Sequence, residues 1–158
     1  MKKTHIGILL MLIGTLFAVG SVIYLKYGVQ TAKTDTENPK HALITLDSPM
    51  PNATISSPLE IRGKARGYWF FEASFPAVLT NWDGLIIAEI PVQAQSEWMT
   101  EDLVSFTASM DFESPYKEGD PDFMKRGTLI LEKDNPSGLP EHDDAYEITV
   151  WFEATEAL

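Results

Sequence analysis

Cysteine is absent from the 158-residue chain. That excludes disulfides, thiolate metal ligands, cysteine nucleophiles and lipidation through cysteine. Histidine is nearly absent: His5, His41 and His142 are the only three, and none belongs to a His-Glu-x-x-His run. No Gly-x-Ser-x-Gly elbow and no glycine-rich phosphate loop occurs, so the common hydrolase and nucleotide-binding signatures are missing. Cations are also scarce, with 12 Lys and Arg against 23 Asp and Glu. Lys2, Lys3 and Lys26 flank an N-terminal apolar run; setting them aside leaves nine cations against the 23 acids, a balance of −14. Such a surface repels phosphate backbones and anionic headgroups, so nucleic acid is not an expected partner. No cofactor is expected, and nothing in the sequence points to an enzyme.

The chain does possess one long uncharged run, at 6–25, which is the length needed to cross a bilayer core as a helix. Residues 1–27 therefore read as a signal-anchor, with Tyr24 and Tyr27 suited to the membrane interface. The rival is a cleaved signal peptide, since Ala18-Val19-Gly20 has a small-x-small form. Against cleavage, apolar residues continue through Val22-Ile23-Tyr24-Leu25. The five residues before the run favour a cytoplasmic N-terminus, which places the remainder outside the cytoplasm in a single-pass protein of the cell membrane. After cleavage it would instead be secreted. Residues 28–41 are polar and read as a flexible linker.

From residue 42 to 158 the dominant period is two, that of half-buried strands. Val104, Phe106, Ala108, Met110 and Phe112 share one face. Leu59, Ile61, Gly63 and Ala65 share another, alternating with Glu60, Arg62, Lys64 and Arg66. Tyr146, Ile148, Val150 and Phe152 form a third row, and Ile86, Ala88, Ile90 and Val92 a fourth. Trp69, Phe71, Ala73 and Phe75 read as a fifth, Leu129 and Leu131 as a shorter one, and 42–46 as a first strand. Breakers at 49–52, 81–84, 118–121 and 135–138 separate these runs, and Asp83-Gly84 is a hairpin signal. Segment 96–103 reads as a helical turn capped by Thr100. About seven strands without a helical period predict an all-β, antiparallel two-sheet sandwich.

The stretch Ile55-Ser56-Ser57-Pro58-Leu59-Glu60-Ile61-Arg62-Gly63-Lys64-Ala65-Arg66-Gly67-Tyr68-Trp69-Phe70-Phe71-Glu72-Ala73-Ser74-Phe75-Pro76 resembles the bacterial immunoglobulin-like domain associated with spore germination proteins. Trp98-Met99-Thr100, Phe106, Gly127-Thr128-Leu129-Ile130-Leu131 and Asn135-Pro136-Ser137-Gly138 extend the likeness over roughly residues 45–153. The resemblance implies an immunoglobulin-like sandwich in a secreted, lipidated or membrane-anchored protein, with no catalytic residues to carry over. No second domain is visible beside the sandwich, so the chain reads as an anchored stand-alone module.

Three groups of residues are candidates for function. Tyr68, Phe70, Glu72, Trp82 and Trp151 fall outside the inward rows and could form a protein-binding surface. Glu72, inside an apolar stretch, reads as an exposed or sheet-edge acid paired with a nearby Arg or Lys. Asp120, Asp122, Asp143 and Asp144 are oxygen-rich loop acids. They are either solvated or, if they converge at one end of the sandwich, a calcium site. His142 reads as an exposed loop histidine. An envelope or surface protein is the expected partner; a structural spacer and an enzyme of unrecognised site are the alternatives.

Overall fold

Residues 39–155 are described by the computed structural model, and both the span at 6–25 and most of the linker lie outside them. Among the described residues no helix is long and apolar enough to cross a membrane. The strands are β1 (Ile44–Ser48), β2 (Thr54–Ile55), β3 (Leu59–Arg66), β4 (Ser74–Asn81), β5 (Ile86–Ala94), β6 (Leu103–Met110), β7 (Arg126–Glu132) and β8 (Ala145–Phe152). Strict alternation becomes alternate burial in β3, where Leu59, Ile61, Gly63 and Ala65 are buried and Glu60, Arg62 and Lys64 are exposed. The same holds for Val104 and Phe106 in β6 and for the four inward residues of β8.

Among the described residues eight strands replace the expected seven, and they form one hydrogen-bonded sheet in the order β1-β3-β6-β5-β4-β7-β8-β2. The expected two sheets are its two halves, joined by little more than Gln93↔Thr107 and Ala94↔Phe106 between β5 and β6. The sheet curls so that Phe75 of β4 meets Phe106 of β6 edge-on at 5.1 Å, across the core and past the intervening strand. Pairing is antiparallel except for β2, which runs parallel to the end of β8. A fully antiparallel sandwich was the expectation; the chain between β1 and β3 instead crosses to the far edge and pairs there.

Small residues sit where backbone or rings come close. A Cβ on Gly63 would lie 2.1 Å from the Thr45 carbonyl oxygen and 2.6 Å from the Phe106 ring. Phe106, its partner in the β3–β6 register, is therefore the bulk that Gly63 admits.

The row Trp69-Phe71-Ala73-Phe75 does not form. A 3-10 turn at Gly67–Trp69 brings both Trp69 and Phe70 into the core, while Phe71 is 41% exposed. Glu72 and Ala73 then take positive φ (50° and 63°), and Phe71 and Ser74 exchange backbone hydrogen bonds around them. Two left-handed residues are the signature of a type I′ turn, normally supplied by Asn and Gly. Ala73 carries a Cβ where none is favoured. Ala73→Gly is therefore expected to stabilise the fold by about 0.5–1 kcal/mol, after allowing for the added freedom of the unfolded chain. A urea midpoint that falls instead would show that this turn is not strained.

Two further expectations are corrected. Segment 96–103 holds no helix: the Trp98 and Thr100 carbonyls are directed at Gly67, and Thr100 Oγ1 accepts only a local bond from the Asp102 N–H. Ile86, expected inside, is 56% exposed, because a bulge opposite Leu79 and Thr80 breaks the register of β5.

Burial also perturbs one titratable group of the sheet. The Tyr146 phenol is pushed above its ordinary value by desolvation. A raised folded value means that this stability is complete below about pH 10, the unfolded tyrosine's pKa, and is lost as pH rises through the folded value. Tyr146→Phe should therefore flatten the fall in urea stability above about pH 10. Identical slopes in the two proteins would show that Tyr146 contributes nothing to it.

Candidate functional site

The β4–β5 hairpin is built by Asn81, whose side-chain oxygen accepts the N–H groups of Asp83 (3.0 Å) and Leu85 (2.9 Å). Gly84 closes the loop at φ 81°, the left-handed position that a three-residue hairpin loop requires. This turn holds Trp82 outward, 46% exposed, with Leu85 and Ile86 beside it at 65% and 56%. Trp82 stands edge-to-face on Phe123, with ring centroids 4.9 Å apart. Phe123 comes from the 3-10 turn Asp122–Lys125, in the connection between β6 and β7, and is itself exposed.

Lys125 links this pair to a groove alongside. Its ammonium lies 2.9 Å from Asp122 and 5.3 Å from the centre of the Tyr116 ring. The hydrogen bond and charge of Lys125 hold the Asp122 carboxyl below its ordinary value, and Asp122 in turn raises Lys125. Both groups are solvent-exposed, so the pair orients the turn more than it stabilises the fold. The groove, about 430 Å³, is lined by Tyr116, Lys125 and Trp151 among others. Thr155 donates its N–H to the Tyr116 carbonyl and keeps that segment against the end of β8.

The five aromatic and acidic surface candidates are thus divided. Trp82 is exposed at this tip, and Trp151 is half-buried near it, opposite Arg126. Tyr68 and Glu72 are exposed in the connection between β3 and β4, at the opposite end. Phe70 is not a surface residue: it is 3% exposed and packs on Phe75 at 5.0 Å. The 3-10 turn shifts the inward phase by one residue, so continuing the strand period through it gives the wrong side. No ion pair to Glu72 forms among the described residues. Phe123 was missed; its Asp-Phe-Met-Lys context carries no strand period, and its meeting with Trp82 joins loops forty residues apart.

The loop acids do not converge. Asp120 and Asp122 precede β7, whereas Asp143 and Asp144 follow it, so seven strand residues, roughly 23 Å, separate the two pairs. Asp120 accepts the Lys117 N–H, Asp143 the Asn135 amide, and Asp144 the Lys40 ammonium at 2.7 Å. No group of three or more His, Asp or Glu suited to a metal occurs among the described residues.

One pairing of catalytic residue types does form in the β7–β8 connection. Ser137 Oγ lies 3.0 Å from His142 Nδ1. The same hydroxyl also donates to Asn135 Oδ1 and accepts the Leu139 N–H. Through these three contacts Ser137 staples the loop between β7 and β8.

No curated protein and no solved structure matches the chain. A family model does match, over residues 43–122, which takes in β1 to β6 and the start of the Phe123 turn. The chain belongs to the family described as the immunoglobulin-like domain of bacterial spore germination.

Proposed function

We propose that this protein is a membrane-anchored, extracytoplasmic immunoglobulin-like module that binds another envelope protein through its aromatic tip and performs no catalysis. The observation that carries this reading is the Trp82–Phe123 pair, exposed together with Leu85 and Ile86. Exposed aromatics grouped this way are the usual anchors of protein interfaces. Chain direction supports it. The chain enters beside Lys40, which bonds Asp144 and the Ala145 carbonyl at the start of β8. The tip lies at the other end of the strands, beyond the end of β4 and the start of β7. Lys40, near the first of the described residues, therefore lies at the end of the domain opposite the tip.

A photo-crosslinking residue at position 85, in cells, is expected to capture one discrete envelope protein. Trp82→Ser with Phe123→Ser should abolish the adduct while the protein stays at normal abundance. The spacer reading predicts no tip-dependent adduct at all. Anchoring is checked separately: the protein should resist carbonate extraction from membranes, whereas a soluble form starting near Ser21 would mean a cleaved signal.

A further inference from the structure

Charge on this domain is segregated. Leaving out Lys2, Lys3, Lys26 and Lys33, eight of the 12 cations fall in the described residues, and three of the eight stand on one strand face. Arg62, Lys64 and Arg66 all point outward from β3, because Ile61, Gly63 and Ala65 are buried between them. Hydroxyls flank the first two on both sides: Ser48 and Thr107 are paired with Arg62, Thr45 and Ser105 with Lys64. Ser48 donates to the Glu60 carbonyl; Arg66 is fixed by the Ala42 and Glu101 carbonyls at 2.9 and 3.1 Å. Carboxylates on these three strands are confined to Asp47, in the bulge of β1, and Glu60, at the start of β3. Neither Arg62 nor Lys64 has an ion-pair partner among the described residues.

We propose that the outer face of β1-β3-β6 is a docking surface for an extended polyol-phosphate polymer, a base-free phosphodiester chain. Alternate strand residues lie about 7 Å apart, so the three cations form a ladder at a pitch comparable to successive phosphodiesters across a three-carbon polyol. The hydroxyls of Thr45, Ser105 and Thr107 can donate to the same oxygens. No aromatic residue lies on β1, β3 or the outward positions of β6, so the face lacks the stacking platform of single-stranded nucleic acid binding. With only Asp47 and Glu60 as carboxylates on these three strands, the face is open to a polyanion.

The test uses the full chain in neutral detergent and fluorescent poly(glycerol phosphate), read by anisotropy. Three neutralised phosphates predict a roughly 20-fold loss of affinity from about 50 to about 200 mM salt, at about −0.7 per contact. Arg62→Gln with Lys64→Gln should weaken binding at least tenfold and cut the salt effect to roughly threefold. Lys125→Gln, at the tip, should change neither. Equal binding by wild type and the double variant overturns the proposal, as does no binding at low salt. Tighter binding of an oligonucleotide or of polyglutamate of equal charge also overturns it, by assigning the face to nucleic acid or to an acidic protein.

Discussion

Gly67→Ala is expected to cost about 3 kcal/mol or more, a large share of the roughly 5–15 kcal/mol that holds a domain folded. A Cβ at this position would lie 2.0 Å from the Thr100 carbonyl oxygen and 2.2 Å from that of Trp98. Neither obstacle is the end of a side chain that could swing aside. Both are backbone, in a segment tied to Gly67 by its own N–H bond to the Asp102 carbonyl. Relief requires the 98–102 segment to move away from the 3-10 turn, which would break that bond. The case is one of space, since Gly67 is not among the glycines with positive φ. Gly84 is the contrast: φ is 81° and nothing lies within 4 Å of a Cβ there, so Gly84→Ala should cost only about 1 kcal/mol of backbone strain. Urea unfolding of the full chain in neutral detergent compares the two. If Gly67→Ala proves no worse than Gly84→Ala, the close approach does not hold in solution.

Why Gly67 matters is not visible in the sequence, where the residue stands only as part of the motif Arg66-Gly67-Tyr68-Trp69. A glycine before a Tyr-Trp-Phe-Phe run signals a change of direction, but carbonyls thirty residues away leave no local mark. The general pattern is that period-two rows were readable wherever a strand runs unbroken with one face in the core. Leu59–Arg66, Leu103–Met110 and Ala145–Phe152 meet that condition, and their burial follows the alternation. Breakers that carry their own chemistry were equally readable, as with Asn81 and Gly84 in the β4–β5 hairpin.

What failed were places where local conformation defies residue type or where two distant segments meet. The 3-10 turn at Gly67–Trp69 inverted the phase of Phe70 and Phe71, and Glu72 and Ala73 occupy left-handed positions without an Asn or Gly to announce them. The acid pairs required knowing that one whole strand lies between them. The aromatic tip needed Trp82 and Phe123 to be brought together by the stacking of two connections. Family membership was legible because its motif residues, Gly63, Gly67 and Trp69, are those the core constrains most tightly.

Trp69→Ala is expected to cost about 3–5 kcal/mol, the range for emptying a fully buried aromatic site. Trp69 is 0% exposed and heads the largest wholly buried side chains of the domain. Its backbone is pinned as well, with the carbonyl accepting the Asp134 N–H at 3.0 Å, so the cavity cannot close by letting the turn collapse inward. Trp69→Phe should be far milder than its lost volume suggests. The indole Nε1 is buried without a hydrogen-bond partner among the described residues, and an unsatisfied buried donor costs about 1–3 kcal/mol. Phenylalanine removes that donor along with part of the ring, so the two changes offset and a net loss of about 1–2 kcal/mol is expected. The pair of variants separates packing from polarity at one site. Equal destabilisation by alanine and phenylalanine, read from urea midpoints at unchanged slope, would mean that the indole N–H is satisfied in solution and that its bond is what both variants lose.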